Sequence, residues 1–202
     1  MLKLRDINKS FGDRVVFDHF NIEIDKGEFV VFKGKSGCGK TTLLHMIGGL
    51  EKPDGGEVIF EDRNIYDKRY TESYLRDEVG FLFQNFALID QKTVMQNLNV
   101  IKKNAWSGIT GEQALEYVGL KEYSNKKVYQ LSGGEQQRVA IARLMMKKSS
   151  IILADEPTGS LDRGNAEIVI EMLKDFCLAG KTIIMVTHGD YAELEKCRIV
   201  EL

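Results

Sequence analysis

The chain has little of what marks secreted, membrane-spanning or nucleic-acid-coating proteins. It carries three cysteines in 202 residues, Cys38, Cys177 and Cys197. Scattered and odd in number, they make neither a disulfide framework nor a metal cluster, which fits a reducing cytoplasm. No apolar run reaches the ~20 residues of a membrane span, and "MLKLRDINKSFGD" at the start does not read as a secretory leader. No stretch repeats and none is of low complexity. Charge of one sign is lacking as well: 28 Lys and Arg against 30 Asp and Glu leave a formal net charge of -2. That balance gives no basic field, so nucleic acid is not expected as a partner. Basic pairs such as Lys102-Lys103 and Lys126-Lys127 read as solvated faces. What is left is a globular chain of one domain's length, residues 1–202, with enough apolar residues for a large core.

What is present is an alternation of strand and helix patterns. "LKLRDI" and "FNIEI" (Phe20–Ile24) alternate like half-buried strands, with Phe11-Gly12-Asp13 turning between them. "EFVVFKG" (Glu28–Gly34) is a short apolar run suited to a buried strand. "KTTLLHMIGGL" follows as a helix stopped by Gly48 and Gly49, with Pro53 close behind. "GEVIF" (Gly56–Phe60), "VGFLFQ" (Val79–Gln84), "IILAD" (Ile151–Asp155) and "KTIIMVTH" (Lys181–His188) are further strands, and "AEIVIEMLKDFCLAG" is a helix. Residues from about 93 to 131 are polar and helical in pattern, which suggests an inserted helical subdomain. Strands alternating with helices predict an α/β fold whose mostly parallel sheet is covered on both faces.

"GKSGCGKT", Gly34 to Thr41, matches G-x-x-x-x-G-K-[ST] between a strand and a helix. In that setting, successive N–H groups of Gly34, Lys35, Ser36, Gly37, Cys38 and Gly39 wrap phosphates. Lys40 reaches the β and γ phosphates, and the Thr41 hydroxyl ligates Mg²⁺. A magnesium site needs an acidic partner. Asp155 ends an apolar strand, the placement of a metal-holding carboxylate, and Glu156 follows where a carboxylate can orient or deprotonate a water. Cys38, inside the loop and near Lys40, is either a small filler or an alkylatable thiol that bound ATP would shield.

"LSGGEQQRVAIAR" (Leu131–Arg143) opens on a hydroxyl and two glycines at a helix start. Helix N-termini carry unpaired N–H groups and the positive end of the peptide dipole. Ser132, Gly133 and Gly134 therefore read either as a plain N-cap and loop or as an anion site.

The phosphate loop, "LSGGEQQR" and "IILADEPTGSLD", in this order and spacing, strongly resemble the ATP-binding subunits of ABC transporters, from Phe11 to His188. The resemblance implies a phosphate-loop NTPase core, an N-terminal antiparallel β subdomain and an inserted helical subdomain. It implies that Phe11 stacks on adenine and that Gly34 to Thr42, including Thr42 itself, holds the triphosphate. Gln84 in "FLFQNF" would touch Mg²⁺ and the attacking water and link to the membrane partner. Asp155 would hold the metal, Glu156 would act as general base, and His188 in "MVTHGD" would contact the γ-phosphate. Ser160-Leu161-Asp162 resembles the loop at a dimer seam. In such a family, Ser132 to Gly134 caps the γ-phosphate held by a second copy of the chain. The implied partners are ATP, Mg²⁺, that second copy and an integral membrane permease. The implied location is the cytoplasm, peripheral on the inner face of the membrane.

"IGGLEKPDGGEVIF", "FLFQNFALIDQKTVMQNL" and "ADEPTGSLD" look most like the branch that exports lipoproteins, peptides and bacteriocins, the MacB and LolD type. Phe86, Leu88, Ile89, Val94 and Met95 serve either a permease helix or the core. The alternatives are the ATPase subunit of an importer and a cell-division-type complex. A chromosome-maintenance ATPase would need a coiled-coil insertion between Lys40 and Ser132, for which there is no room. A translation-factor relative would carry two such heads. The sequence ends at "CRIVEL", where relatives usually continue into a further turn and strand, so the last edge of the domain is expected to differ.

Overall fold

The computed structural model describes residues 1–202. β1 (Leu2–Phe11) and β2 (Arg14–Ile24) form a long antiparallel hairpin turning on Gly12 and Asp13. β2 starts well before the alternating stretch at Phe20. Its first half lies mostly exposed, so no in-out pattern marks it. β3 (Phe29–Lys33) is buried along nearly its whole length and leads through the phosphate loop into α1 (Lys40–Ile47). β4 (Gly55–Phe60) and β5 (Arg63–Asn64) extend the hairpin into a four-stranded sheet ordered β2-β1-β4-β5, all antiparallel.

α2 (Thr71–Ser73) widens into one π-type turn at Tyr74–Glu78 before β6 (Val79–Leu82). Between residues 93 and 131 lie α3 (Val94–Leu98), α4 (Gly111–Tyr117) and single helical turns, with no strand beyond the isolated bridges of Thr93 to Lys127 and Trp106 to Lys147. α3 and α4 each start on a threonine and a glutamine that exchange bonds with the other's backbone, Thr93 with Gln96 and Thr110 with Gln113. Reciprocal capping of this kind stabilises helices too short to persist alone. α5 (Gly133–Met146), β7 (Ile151–Asp155), α6 (Arg163–Leu178), β8 (Thr182–Val186) and β9 (Arg198–Glu201) complete the chain.

The second sheet is parallel throughout, ordered β6-β7-β8-β3-β9. Its strands read as unbroken apolar runs because both faces are covered. The side chains still alternate, however, and they divide between two cores. Val31, Ile152, Ala154, Ile183 and Met185 pack toward α5 and α6, while Val30, Phe32, Leu153, Ile184 and Val186 pack toward α1 and the antiparallel sheet. β9 is an edge strand, paired only with β3 through Val30 opposite Arg198 to Lys33 opposite Glu201. Half exposed and charged at both ends, it leaves no strand signal in "RIVE". The architecture places the C-terminal ends of β3, β6, β7 and β8 along one edge, where ligands bind open α/β sheets. Every phosphate-loop, metal and base candidate leaves the sheet at that edge.

Candidate functional site

The first element is the turn from β3 into α1. Gly39, just before the helix, sits at φ 107 and no side chain caps the helix start. A Cβ at Gly39 would come within 2.5 Å of Val16 and 3.0 Å of the Phe17 ring, so the start of β2 packs tightly over the loop. Only glycine meets both the backbone and the space. Lys40 is 6% exposed, yet its Nζ donates to the carbonyls of Gly34 (2.8 Å) and Lys35 (3.1 Å) and reaches no carboxylate. A buried ammonium balanced only by carbonyl dipoles calls for an anion beside it. The Cys38 sulfur lies 3.8 Å from the same ammonium.

Strand β7 supplies the second element. Asp155 accepts a hydrogen bond from the Thr41 hydroxyl at 3.1 Å, joining α1 to β7 across the sheet edge. Hydroxyl and carboxylate oxygens side by side are the hard donors that Mg²⁺ takes alongside phosphate and water. Nowhere do three or more His, Cys, Asp or Glu converge, so this chain offers no all-protein metal cage. The donor set suits a metal whose remaining ligands come with its substrate.

Glu156 follows in a left-handed conformation, φ 44, uncommon for a glutamate. Its N–H continues the ladder to the Val186 carbonyl at 3.0 Å. One carboxylate oxygen, Oε2, accepts from the His188 N–H at 3.2 Å. The other, Oε1, lies 3.1 Å from His188 Nε2 but off the line of a hydrogen bond, and it is left buried without a donor. The left-handed turn thus aims a mostly buried carboxylate back along the edge. One of its oxygens is free for a proton.

These parts meet in one cleft. Ser36, Gly37, Gly39, Lys40, Thr41, Thr42, Gln84, Glu156 and His188 line it, and none is hydrophobic. Such a lining suits a polyphosphate and offers a nucleobase nothing to stack on. Gly34, Lys35 and Cys38 line an adjoining groove that also touches His188, and Asp155 lies on the far side with Gln84. Phe11 stands apart at the β1–β2 turn, half exposed, with the Lys9 ammonium 5.1 Å from its ring centre.

Ser132, Gly133, Gly134 and Asp162 are absent from that lining. Ser132 caps α5. Its hydroxyl accepts from the Glu135 N–H at 3.3 Å, and the Glu135 carboxylate accepts from the Ser132 N–H at 2.7 Å. The Ser132 amide holds the Glu135 carboxyl below the usual carboxylate range. Gly134 faces Asn165 so closely that a Cβ would come within 2.5 Å of its amide. Asp162 caps α6 through the Asn165 N–H at 3.0 Å, which holds its own carboxyl low. Both motifs are thus intact helix starts outside the cleft, with their capping residues Ser132 and Asp162 exposed.

Three side chains that the sequence reading gives no role hold backbone around these loops. Arg14 Nη2 donates to the Gly37 carbonyl at 2.5 Å and clamps the phosphate loop from β2. Arg143 donates to the carbonyls of Ala87 (2.6 Å) and Phe86 (3.1 Å), both at positive φ just after Gln84. Gln137, wholly buried in α5, donates to the Pro157 carbonyl at 2.7 Å. A signal existed for the last: Gln137 falls on the stripe of Gly134, Ile141 and Leu144, a polar residue at a core position.

Residues 17–159 match the sequence profile of the ABC transporter family. The chain is 39% identical over 212 residues to a Staphylococcus epidermidis protein, HrtA, named as a hemin import ATP-binding protein, covering 100% of this chain and 96% of that one. An HrtA of Staphylococcus aureus is 39% identical over 218 residues with the same coverage. Among solved structures, a dimeric structure of MJ0796, described as a bacterial ABC transporter cassette, superposes with a TM-score of 0.79 at 39% identity, covering 94% of this chain and 88% of that one. A second MJ0796 dimer, in a post-hydrolysis state bound to ADP and Pi, matches with a TM-score of 0.79 at 38% identity. CbiO1 of Clostridium perfringens, part of the cbiONQ transporter complex, gives 0.81 at 28% identity, over 93% and 78%. With the phosphate cleft, the two-sheet fold and these likenesses in agreement, the chain belongs to the ABC transporter family, as an ATP-binding subunit that hydrolyses ATP.

Proposed function

We propose that two copies of this chain close head to tail around two ATP molecules, and that the closing and parting of the pair drives a separate membrane permease. One observation carries the reading. Each chain builds a cleft for a triphosphate, yet its glycine-rich α5 start lies outside that cleft, with Ser132 exposed and Gly133 partly so. A second copy rotated by a two-fold axis brings that start to the open side of the first copy's nucleotide. The dimeric structures of MJ0796 support the arrangement by likeness.

In this reading Gly34 to Thr42 cradle the triphosphate, with Lys40 beside the outer phosphates and Phe11 under the adenine. Thr41, Asp155 and Gln84 hold Mg²⁺, which when bound neutralises charge on the phosphates. Glu156 takes a proton from the attacking water through its free Oε1 as the water oxygen joins the γ-phosphorus and the bond to the β–γ bridging oxygen breaks. His188 contacts the γ-phosphate beside it. Ser132, Gly133 and Gly134 face the partner copy's γ-phosphate, and Asp162 sits at the seam.

For the transported substrate, the quoted sequence stretches favour the MacB- and LolD-like export branch. A hemin-type cargo is the second reading, because relatives matched over the whole chain are named for hemin import. ATPase activity of the assembled transporter, measured with peptide and with hemin added separately, decides between them. No helix of the chain is long and apolar enough to cross a membrane, so the passage itself falls to the permease.

The test of the dimer is Glu156→Gln with Mg-ATP. The expected result is a solution mass that doubles with nucleotide and returns when ATP is removed, with turnover lost. A variant that stays monomeric at saturating Mg-ATP, or that turns over normally, overturns the proposal.

A further inference from the structure

We infer that Gln137 is a positioning residue for Glu156, tying the pose of its carboxylate to α5. The inference rests on the reading of Glu156 as the base. Its starting point is a set of three buried polar atoms without partners: Gln137 Oε1, Glu156 Oε1 and Thr158 Oγ1. They fall where α5 meets the turn that leaves β7. Buried polar groups without partners are few in folded proteins and call for an explanation.

Packing does not explain Gln137. An aliphatic side chain of the same size would fill the place on the apolar stripe of α5 without orphaning an amide oxygen. The bond from Nε2 to the Pro157 carbonyl, 2.7 Å, does explain it. Glu156 is held left-handed, and backbone hydrogen bonds fix the turn on either side of Pro157, with the Leu161 N–H closing on the Thr158 carbonyl at 3.1 Å. The sheet holds the Glu156 N–H through Val186, and the Gly159 N–H closes on the Glu156 carbonyl at 3.1 Å. Pro157 has no N–H to give, so its carbonyl is the remaining backbone handle next to Glu156. Gln137 holds that handle from a helix that begins, one turn earlier, at Ser132 and the glycines.

A displacement of α5 therefore moves Pro157 and, with it, the direction of the Glu156 side chain. The base is aimed when the helix start is seated and is misaimed when it is not. In this way the engagement of one copy's α5 start reaches the carboxylate of its own cleft.

Gln137→Met keeps length and volume and removes the donor. The expected result is a folded protein whose kcat for ATP falls about tenfold or more, since small misplacements of a reacting group are costly. KM for ATP and the affinity for a fluorescent ATP analogue should stay within about twofold, the split that separates lost aim from lost binding. A folded Gln137→Met protein with kcat within about twofold of the parent overturns the inference. If Gln137→Met does not fold, Gln137→Glu decides. A buried glutamate donates to Pro157 only when protonated, so its kcat relative to the parent should climb severalfold from about pH 8 to about pH 6. A flat ratio overturns the inference. Glu156→Gln is assayed alongside. If it turns over normally, the reading of the base falls and takes Gln137 with it. If it is dead while Gln137→Met is normal, only the inference on Gln137 falls.

Discussion

Two helices of this protein begin at glycine-rich turns, and they begin differently. α1 starts from a left-handed glycine with no side-chain cap, its first residue a buried lysine without an acidic partner. α5 starts from a serine cap, closed by Glu135 in its first turn. The first start has unspent N–H groups and a positive charge turned inward, so it is unbalanced until an anion arrives. The second has its Ser132 and Glu135 N–H groups already spent on each other's side chains, and it adds a carboxylate near its own positive end. An anion meets α5 through the N–H groups of Gly133 and Gly134 and the Ser132 hydroxyl, which can accept from Glu135 and still donate its O–H outward, and it does so beside the Glu135 carboxylate. The comparison teaches that binding strength lies with α1, while α5 can respond to a phosphate delivered to it without collecting one from solution.

The largest effects should come from the α1 side and its facing carboxylate. Glu156→Gln should lower turnover by roughly 10²- to 10⁴-fold, the range for loss of a general base, with nucleotide still bound. Lys40→Ala should weaken ATP binding by about 10²-fold or more, because it removes the one buried charge that a triphosphate balances. Titration with a fluorescent ATP analogue measures it. A Lys40→Ala protein that binds within a few-fold of the parent would erase the contrast between the two helix starts.

The α1 side was legible in the sequence because its chemistry is local. Gly34 to Thr41 form a contiguous pattern between an apolar run and a helical one, and Asp155 closes "IILAD" where the apolar run stops. The parallel sheet, the hairpin at Gly12 and the helices after Lys40 and Asp162 followed from periodicity for the same reason. Other features depend on residues far apart in the chain. β9 is a strand only because β3 offers it an edge, and the first half of β2 is exposed and unpatterned. The left-handed backbone at Glu156 leaves no mark in "ADEPTG". The bonds of Arg143 to Phe86 and Ala87 span more than fifty residues. Sequence placed Gln137 on an amphipathic helix without saying what a buried amide would hold.

Arg143→Ala sharpens the comparison on the α5 side. It removes two charge-assisted bonds to the carbonyls behind Gln84 and leaves Phe86 and Ala87 in strained conformations without their clamp. The expected cost is about 2–3 kcal/mol of stability, or a melting temperature lower by several degrees, read by thermal unfolding without nucleotide. Nucleotide affinity should change little, since α1 is untouched. Arg143→Lys keeps the charge and loses the two-pronged geometry, so it should recover only part of the loss.

The smallest effect is the most specific. Glu135→Gln preserves an acceptor for the Ser132 N–H and removes the negative charge from the start of α5, which brings that helix closer to α1 in character. In the folded chain the Glu135 carboxyl is held low, first by the Ser132 amide. Its contribution to stability is therefore present above the ordinary glutamate range near 4.3 and is lost as pH falls through the lowered folded value. Near neutrality Glu135→Gln should be less stable than the parent by only a few tenths of a kcal/mol, given how exposed and screened the carboxylate is. As pH falls through that lowered value the difference should vanish, because the parent's folded carboxyl then loses its charge as well. Denaturant unfolding at a series of pH values reads the convergence. The same variant should form the Mg-ATP dimer at lower protein concentration, because a phosphate approaching α5 no longer meets a carboxylate. If dimerisation weakened instead, the Glu135 charge would be aiding contact between the copies, and α5 could not be the weakly binding start that the contrast with α1 requires.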